Sequence, residues 1–188
     1  MDDNLIKQSY AGLEQYPDLA YNCVTHLMND DSVELLWKLL YYTDREAWRN
    51  DANHPDLSMS QKRSLIYSGQ ENQEDFRVFL DLGMDDAWNV EACQIRISPL
   101  TLYPSARMIA SISVSLEVFC HFKLNTLSNH RTRTDSITQM MISSLNGATI
   151  GGIGLLYFDA RASRVCSSVQ IGQIPYRGRR TIMCNWMA

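Results

Sequence analysis

The stretch Ile109-Ala110-Ser111-Ile112-Ser113-Val114-Ser115-Leu116-Glu117-Val118-Phe119-Cys120-His121-Phe122 decides the fold. Ile112, Val114, Leu116, Val118, Cys120 and Phe122 point one way, and Ser111, Ser113, Ser115, Glu117 and His121 point the other. A period of two is the signature of a β-strand, whose successive side chains leave opposite faces. A strand over 109–122 is long beside the usual three to ten residues. The spacing therefore predicts a strand that runs past the domain body or bends at a bulge.

Downstream, the period changes. Thr132 and Asp135 stand in capping-box spacing, and Ile137, Met140, Met141 and Leu145 form one helical face. Asn146-Gly147 predicts the end of that helix, because glycine accepts the left-handed backbone that a helix end requires. Gly151-Gly152-Ile153-Gly154 then predicts a tight turn with at least one positive φ, leading into strands over 155–159, 165–171 and 180–186. Upstream, 76–80 reads as a short strand and 90–97 as another, ending at the turn Ser98-Pro99. Strands on both sides of a single helix predict an antiparallel sheet with that helix packed on it.

The first 70 residues read as helical. Pro17 suits a first helical turn, and Leu19, Ala20, Cys23, Val24 and Leu27 follow at helical spacing. Ser32 opens a second helix with the stripe Val33, Leu36, Trp37, Leu40 and Tyr41. Ser58 and Gln61 signal a third, and Gly69 a stop. The polar run 69–75 is the expected linker. The chain is thus expected to be α+β, with a helical N-terminal segment at 1–70 and a sheet domain at 71–188.

Charge is divided unevenly. Residues 1–93 hold 18 acidic and 7 basic residues, and residues 94–188 hold 3 and 10, so a net charge of −4 conceals halves of −11 and +7. Opposed halves suit head-to-tail contact between identical subunits. Arg161, Arg164, Arg177, Arg179 and Arg180 are the expected basic contributors, because arginine forms paired hydrogen bonds to carboxylates. Glu71, Glu74, Asp75, Asp81, Asp85 and Asp86 are the acidic ones. The same arginines could touch nucleic acid, but Tyr176 and Trp186 are the only stacking partners near them. The acidic Met1-Asp2-Asp3-Asn4 start and the lack of a long apolar run predict a cytosolic product with no membrane span. The five widely spaced cysteines predict reduced thiols, with no disulfide framework.

No catalytic constellation is legible. The glycine turn follows a helix and precedes a strand, the reverse of a phosphate-cradling loop. Cys23 and His26 share a helix but lack the further ligands zinc needs. His54 and His130 lie in loops without a signature, and Asp81, Asp85 and Asp86 lack calcium-loop spacing. No cofactor is expected. The alternative enzyme reading is a small cytosolic hydrolase whose site gathers scattered residues such as Asp81, His121 and Asp159.

Over residues 76–188, three features occur together: the serine-alternating strand, the helix end Ser144-Leu145-Asn146-Gly147, and the run Ile150-Gly151-Gly152-Ile153-Gly154-Leu155-Leu156-Tyr157-Phe158-Asp159. Together they resemble small virion proteins of tailed bacteriophages. Those proteins form the head-to-tail connector, adaptor and tail-completion rings of the neck. The strand–helix–strand order is similar to tail-completion proteins in particular. The resemblance implies a non-enzymatic ring of six or twelve copies between portal and tail. Its partners would be other neck, portal or tail proteins, with non-specific contact to packaged DNA. It would reside in the virion after assembly in the host cytoplasm.

Overall fold

Helical spacing in the first part of the chain produces three helices. In a computed structural model, described over residues 16–69, 73–80, 91–106, 109–151, 154–159, 169–171 and 174–185, α1 spans Leu19–Asn29. A 3₁₀ turn at Asp31–Val33 leads into α2, Glu34–Tyr41, and α3 spans Met59–Ser64. Pro17 precedes α1 rather than opening its first turn. Asp30, not Ser32, caps the second helical stretch: its side chain accepts a hydrogen bond from the Ser32 backbone N–H. Ser58 and Gln61 form both halves of the expected capping box. On α2 the buried stripe is Leu36, Trp37, Leu39 and Leu40, whereas Tyr41 is exposed.

The strands are β1 (Val78–Phe79), β2 (Cys93–Ala106) and β3 (Ile109–His121). After them come α4 (Phe122–Asn125) and α5 (Arg133–Leu145), then β4 (Leu156–Phe158), β5 (Val169–Ile171) and β6 (Ile174–Asn185). The sheet order is β1-β2-β3-β6-β4, with β5 paired to β6. All pairs are antiparallel except β1 with β2. The expected α+β class holds, as does the packing of α5 on the sheet.

Two strands are longer than their sequence suggests. β2 continues through Ser98-Pro99, where a turn was expected, because register shifts between Pro99 and Thr101 and between Pro104 and Ala106 absorb the prolines. Bulges are where proline's missing N–H is tolerated in a sheet. β6 begins at Ile174, six residues before the expected start at 180. Phe122 is not the last residue of the alternating strand; it opens α4 and is exposed.

One hydrophobic core joins these elements. Ile95, Ile97, Val114, Leu116, Val118 and Cys120 from β2 and β3 pack with Leu19, Cys23, Val24 and Leu27 of α1 and with Leu36, Trp37 and Leu40 of α2. Ile137, Met141 and Leu145 of α5 complete it. Trp37 Nε1 donates to the Leu27 carbonyl at 3.0 Å, satisfying the indole inside this core. α5 is tied back to α1 by Ser144, whose hydroxyl donates to Asp30 at 2.5 Å and whose carbonyl accepts from His26 Nε2 at 3.1 Å. Gly147 ends α5 with φ +81°, and the following turn has Gly151 at +50° and Gly154 at +96°, as the turn assignment requires.

Candidate functional site

The alternation that makes β3 also makes it outrun its neighbours. β6 pairs with β3 only over Ser113–His121, and β1 pairs with β2 only at Ile95 and Arg96. Beyond those limits Leu102, Tyr103, Pro104 and Ala106 pair with Ile112, Ser111, Ala110 and Ile109 and, among the described residues, with no other strand. At the rise of a strand this two-stranded ribbon extends roughly 13 Å past the β6 pairing. Between Pro99 and Ile112 its sequence carries one charged residue, Arg107. Two-stranded ribbons are marginal in water without a covered face.

The opposite face of the same strands carries polar residues. Gln94, Arg96 and Ser98 on β2, and Ser115, Glu117 and His121 on β3, are buried despite their polarity. Arg96 stands opposite Glu117, and Glu117 opposite Arg180 of β6, so three adjacent strands place alternating charge types in one row. The Ser115 hydroxyl donates to Glu117 Oε1 at 3.3 Å. The Arg96 guanidinium lies over the rings of Phe119 at 5.5 Å and Phe79 at 6.0 Å, a cation–π arrangement.

Among the arginines expected to act together, Arg180, Arg179 and Arg177 take register positions opposite Glu117, Val118 and Cys120 of β3. Arg161 and Arg164 lie outside the described residues, as do Glu71, Asp81, Asp85 and Asp86. Glu74 and Asp75 are exposed in the turn before β1. The residues suggested for a hydrolase are not gathered. His121 pairs with Tyr176 and Phe158 with Met183, and Asp159 follows Phe158 toward the register position of Ile182, so His121 and Asp159 are about six residues apart along β6, roughly 20 Å at strand rise. Asp81 is outside the described residues. Cys23 is buried, and its neighbour His26 bonds the Ser144 carbonyl. Among the described residues no cluster of His, Cys, Asp and Glu could hold a metal, and no helix is long and apolar enough to cross a membrane.

Two constellations have no local signature in the sequence. His54 is bound through both ring nitrogens, Nε2 to Asp44 and Nδ1 to Asp51, each at 3.0 Å. Two carboxylate partners require both nitrogens to donate, the imidazolium form. The hydrogen bond to Asp44 is the largest cause raising the His54 pKa above its usual 6.5, with Asp51 reinforcing it against some desolvation. Burial opposes ionisation of Asp44, yet the His54 bond and backbone N–H donors hold it below the usual range; Asp51 is lowered first by His54.

The second constellation is Arg133, fully buried at the start of α5. Its guanidinium donates to the carbonyls of Leu39, Tyr42 and Asp44, each at 2.6 Å, while Nε donates to Leu124 at 3.1 Å. These bonds close the end of α2 onto the α4–α5 connection. An open groove of about 770 Å³ runs beside this joint, lined by Leu35, Trp48, His130, Asp135 and Met140 among others.

A protein-family profile described as YomW matches residues 34–183, most of the chain. No curated protein and no solved structure matches the chain significantly.

Proposed function

The chain belongs to the YomW family, whose name is that of a phage-associated prophage protein, and from that premise we propose that it is a structural virion protein without catalytic activity. On this reading it forms an oligomeric ring in the head-to-tail neck, joining a portal or adaptor to the tail. The observation that carries the reading is the β2–β3 ribbon: strand edges that no other described strand of the chain pairs with, in a segment with one charge, suit pairing with a neighbouring subunit. The −11 and +7 halves add complementarity for a head-to-tail ring, whose neighbours meet through two different patches. Exposed ion pairs contribute roughly 0–1 kcal/mol each, so charge would set register while apolar burial supplies affinity.

Light scattering on the eluting protein, followed by electron microscopy, tests this. The expected result is a closed ring of six or twelve copies. Replacing 103–111 with a two-residue Asn-Gly turn should yield a folded monomer. Reversing Arg177 and Arg179 to Glu should slow assembly and alter its salt dependence. A wild-type monomer at tens of micromolar would overturn the ring, and duplex DNA binding that weakens steeply with salt would move the basic half to a nucleic-acid role.

A further inference from the structure

We propose that Cys93 and Cys120 are a redox pair, joined by a hydroperoxide into a cross-strand disulfide at the base of the β2–β3 ribbon.

The geometry comes from the ladder. Cys93 and Cys120 are direct register partners on β2 and β3. The His121 N–H donates to the Ala92 carbonyl at 3.0 Å, which makes the adjacent 92–121 pair the hydrogen-bonded one. The Ile95 N–H turns away from β3 to the Arg77 carbonyl at 2.8 Å. Cys93 and Cys120 therefore occupy a non-hydrogen-bonded pair. There the Cα atoms stand about 4.5 Å apart and the side chains are closest, within the span a disulfide bridges. Both are free thiols on the helix-covered face.

The environment separates their roles. Burial opposes ionisation of Cys93, but the hydrogen bond with Cys120 and the positive charges of Arg133 and Arg77 outweigh it and hold this thiol below the usual range. The Arg133 charge is fixed in place by its four carbonyl acceptors. Cys120 is pushed up by the same Cys93 bond and then by burial. Cys93 is also the first residue of β2. The Cys93 thiolate attacks the peroxide O–O bond, giving a sulfenic acid and releasing water once the leaving hydroxide is protonated. The Cys120 sulfur then displaces the sulfenic hydroxyl, forming the S–S bond and a second water. Two thiols and one peroxide become one disulfide and two waters, so atoms and electrons balance.

Reduced, folded protein treated with hydrogen peroxide, then denatured, alkylated and mapped by peptide mass, tests the pair. The expected result is loss of two alkylation sites, a Cys93–Cys120 cross-linked peptide, and full recovery with dithiothreitol. Closing a loop of about 26 residues should also raise the melting temperature by several degrees. Cys120→Ala should leave Cys93 to advance to the irreversible sulfinic acid, whereas Cys93→Ala should leave Cys120 unmodified. Both wild-type thiols still alkylatable after peroxide, or a link to a different cysteine, would overturn the proposal, and neither readout depends on the variants folding.

Discussion

The two faces of β2 and β3 are built by one alternation and held by different physics. On the helix side, Ile95, Ile97, Val114, Leu116 and Val118 are fully buried among apolar neighbours, and the hydrophobic effect stabilises them without regard to direction. On the other side Gln94, Arg96, Ser115 and Glu117 are buried almost as completely, at 0–5% exposure. Burial of such groups stabilises only where hydrogen bonds and opposite charges replace water. Alternating polarity along a strand therefore reports which side a residue takes, and says nothing about which side is wet.

The most damaging test strikes the apolar face. Met141 on α5 is fully buried against it, so Met141→Asp, which buries an unpaired carboxylate, should cost more than about 4 kcal/mol in chemical denaturation. A variant melting within a degree of the parent would mean that α5 does not pack there.

The polar face should show coupling rather than bulk loss. A double-mutant cycle of Arg96→Met and Glu117→Leu should give an interaction of about 1–3 kcal/mol, with the double variant more stable than either single one. Additive losses would show that the two charges are satisfied independently.

The smallest effect is expected at the His54 staple, whose partners Asp44 and Asp51 are exposed. Its raised pKa means that its contribution is fully present below the usual 6.5 and is lost as pH rises through the raised value. Asp44 and Asp51, held low, contribute above the ordinary carboxylate range and lose that contribution as pH falls through their depressed values. Stability measured against pH should fall on the alkaline flank in the parent and be flatter in His54→Gln. Identical slopes would sever the staple from folding.

What could be read from the chain follows from the range of the forces involved. The helix caps at Ser58 and Thr132 are local, and both appear where their spacing predicts, as a full capping box at Ser58 and as a cap on the Asp135 N–H at Thr132. The β3 alternation is local too. The extension of β2 through Pro99 was hidden because a bulge is defined against a partner strand, and the partner lies beyond a turn. The first half of β6 contains Pro175 and Gly178 among arginines, a composition that argues against a strand until β3 and β5 supply its hydrogen bonds. Pairing, likewise, made the Cys93–Cys120 and Arg96–Glu117 register partners. The His54 staple escaped because Asp44 lies ten residues away with no motif between them.

The bonds from Asp30 and His26 to Ser144 span 114 and 118 residues of chain. A ribosome adding about 5–20 residues per second needs roughly 6–24 s to supply the second partner. During that interval α1 has emerged but the α5 surface it rests on does not yet exist. The N-terminal helices are thus made first but cannot complete their packing until α5 emerges, and during synthesis part of their apolar surface awaits a partner encoded far downstream.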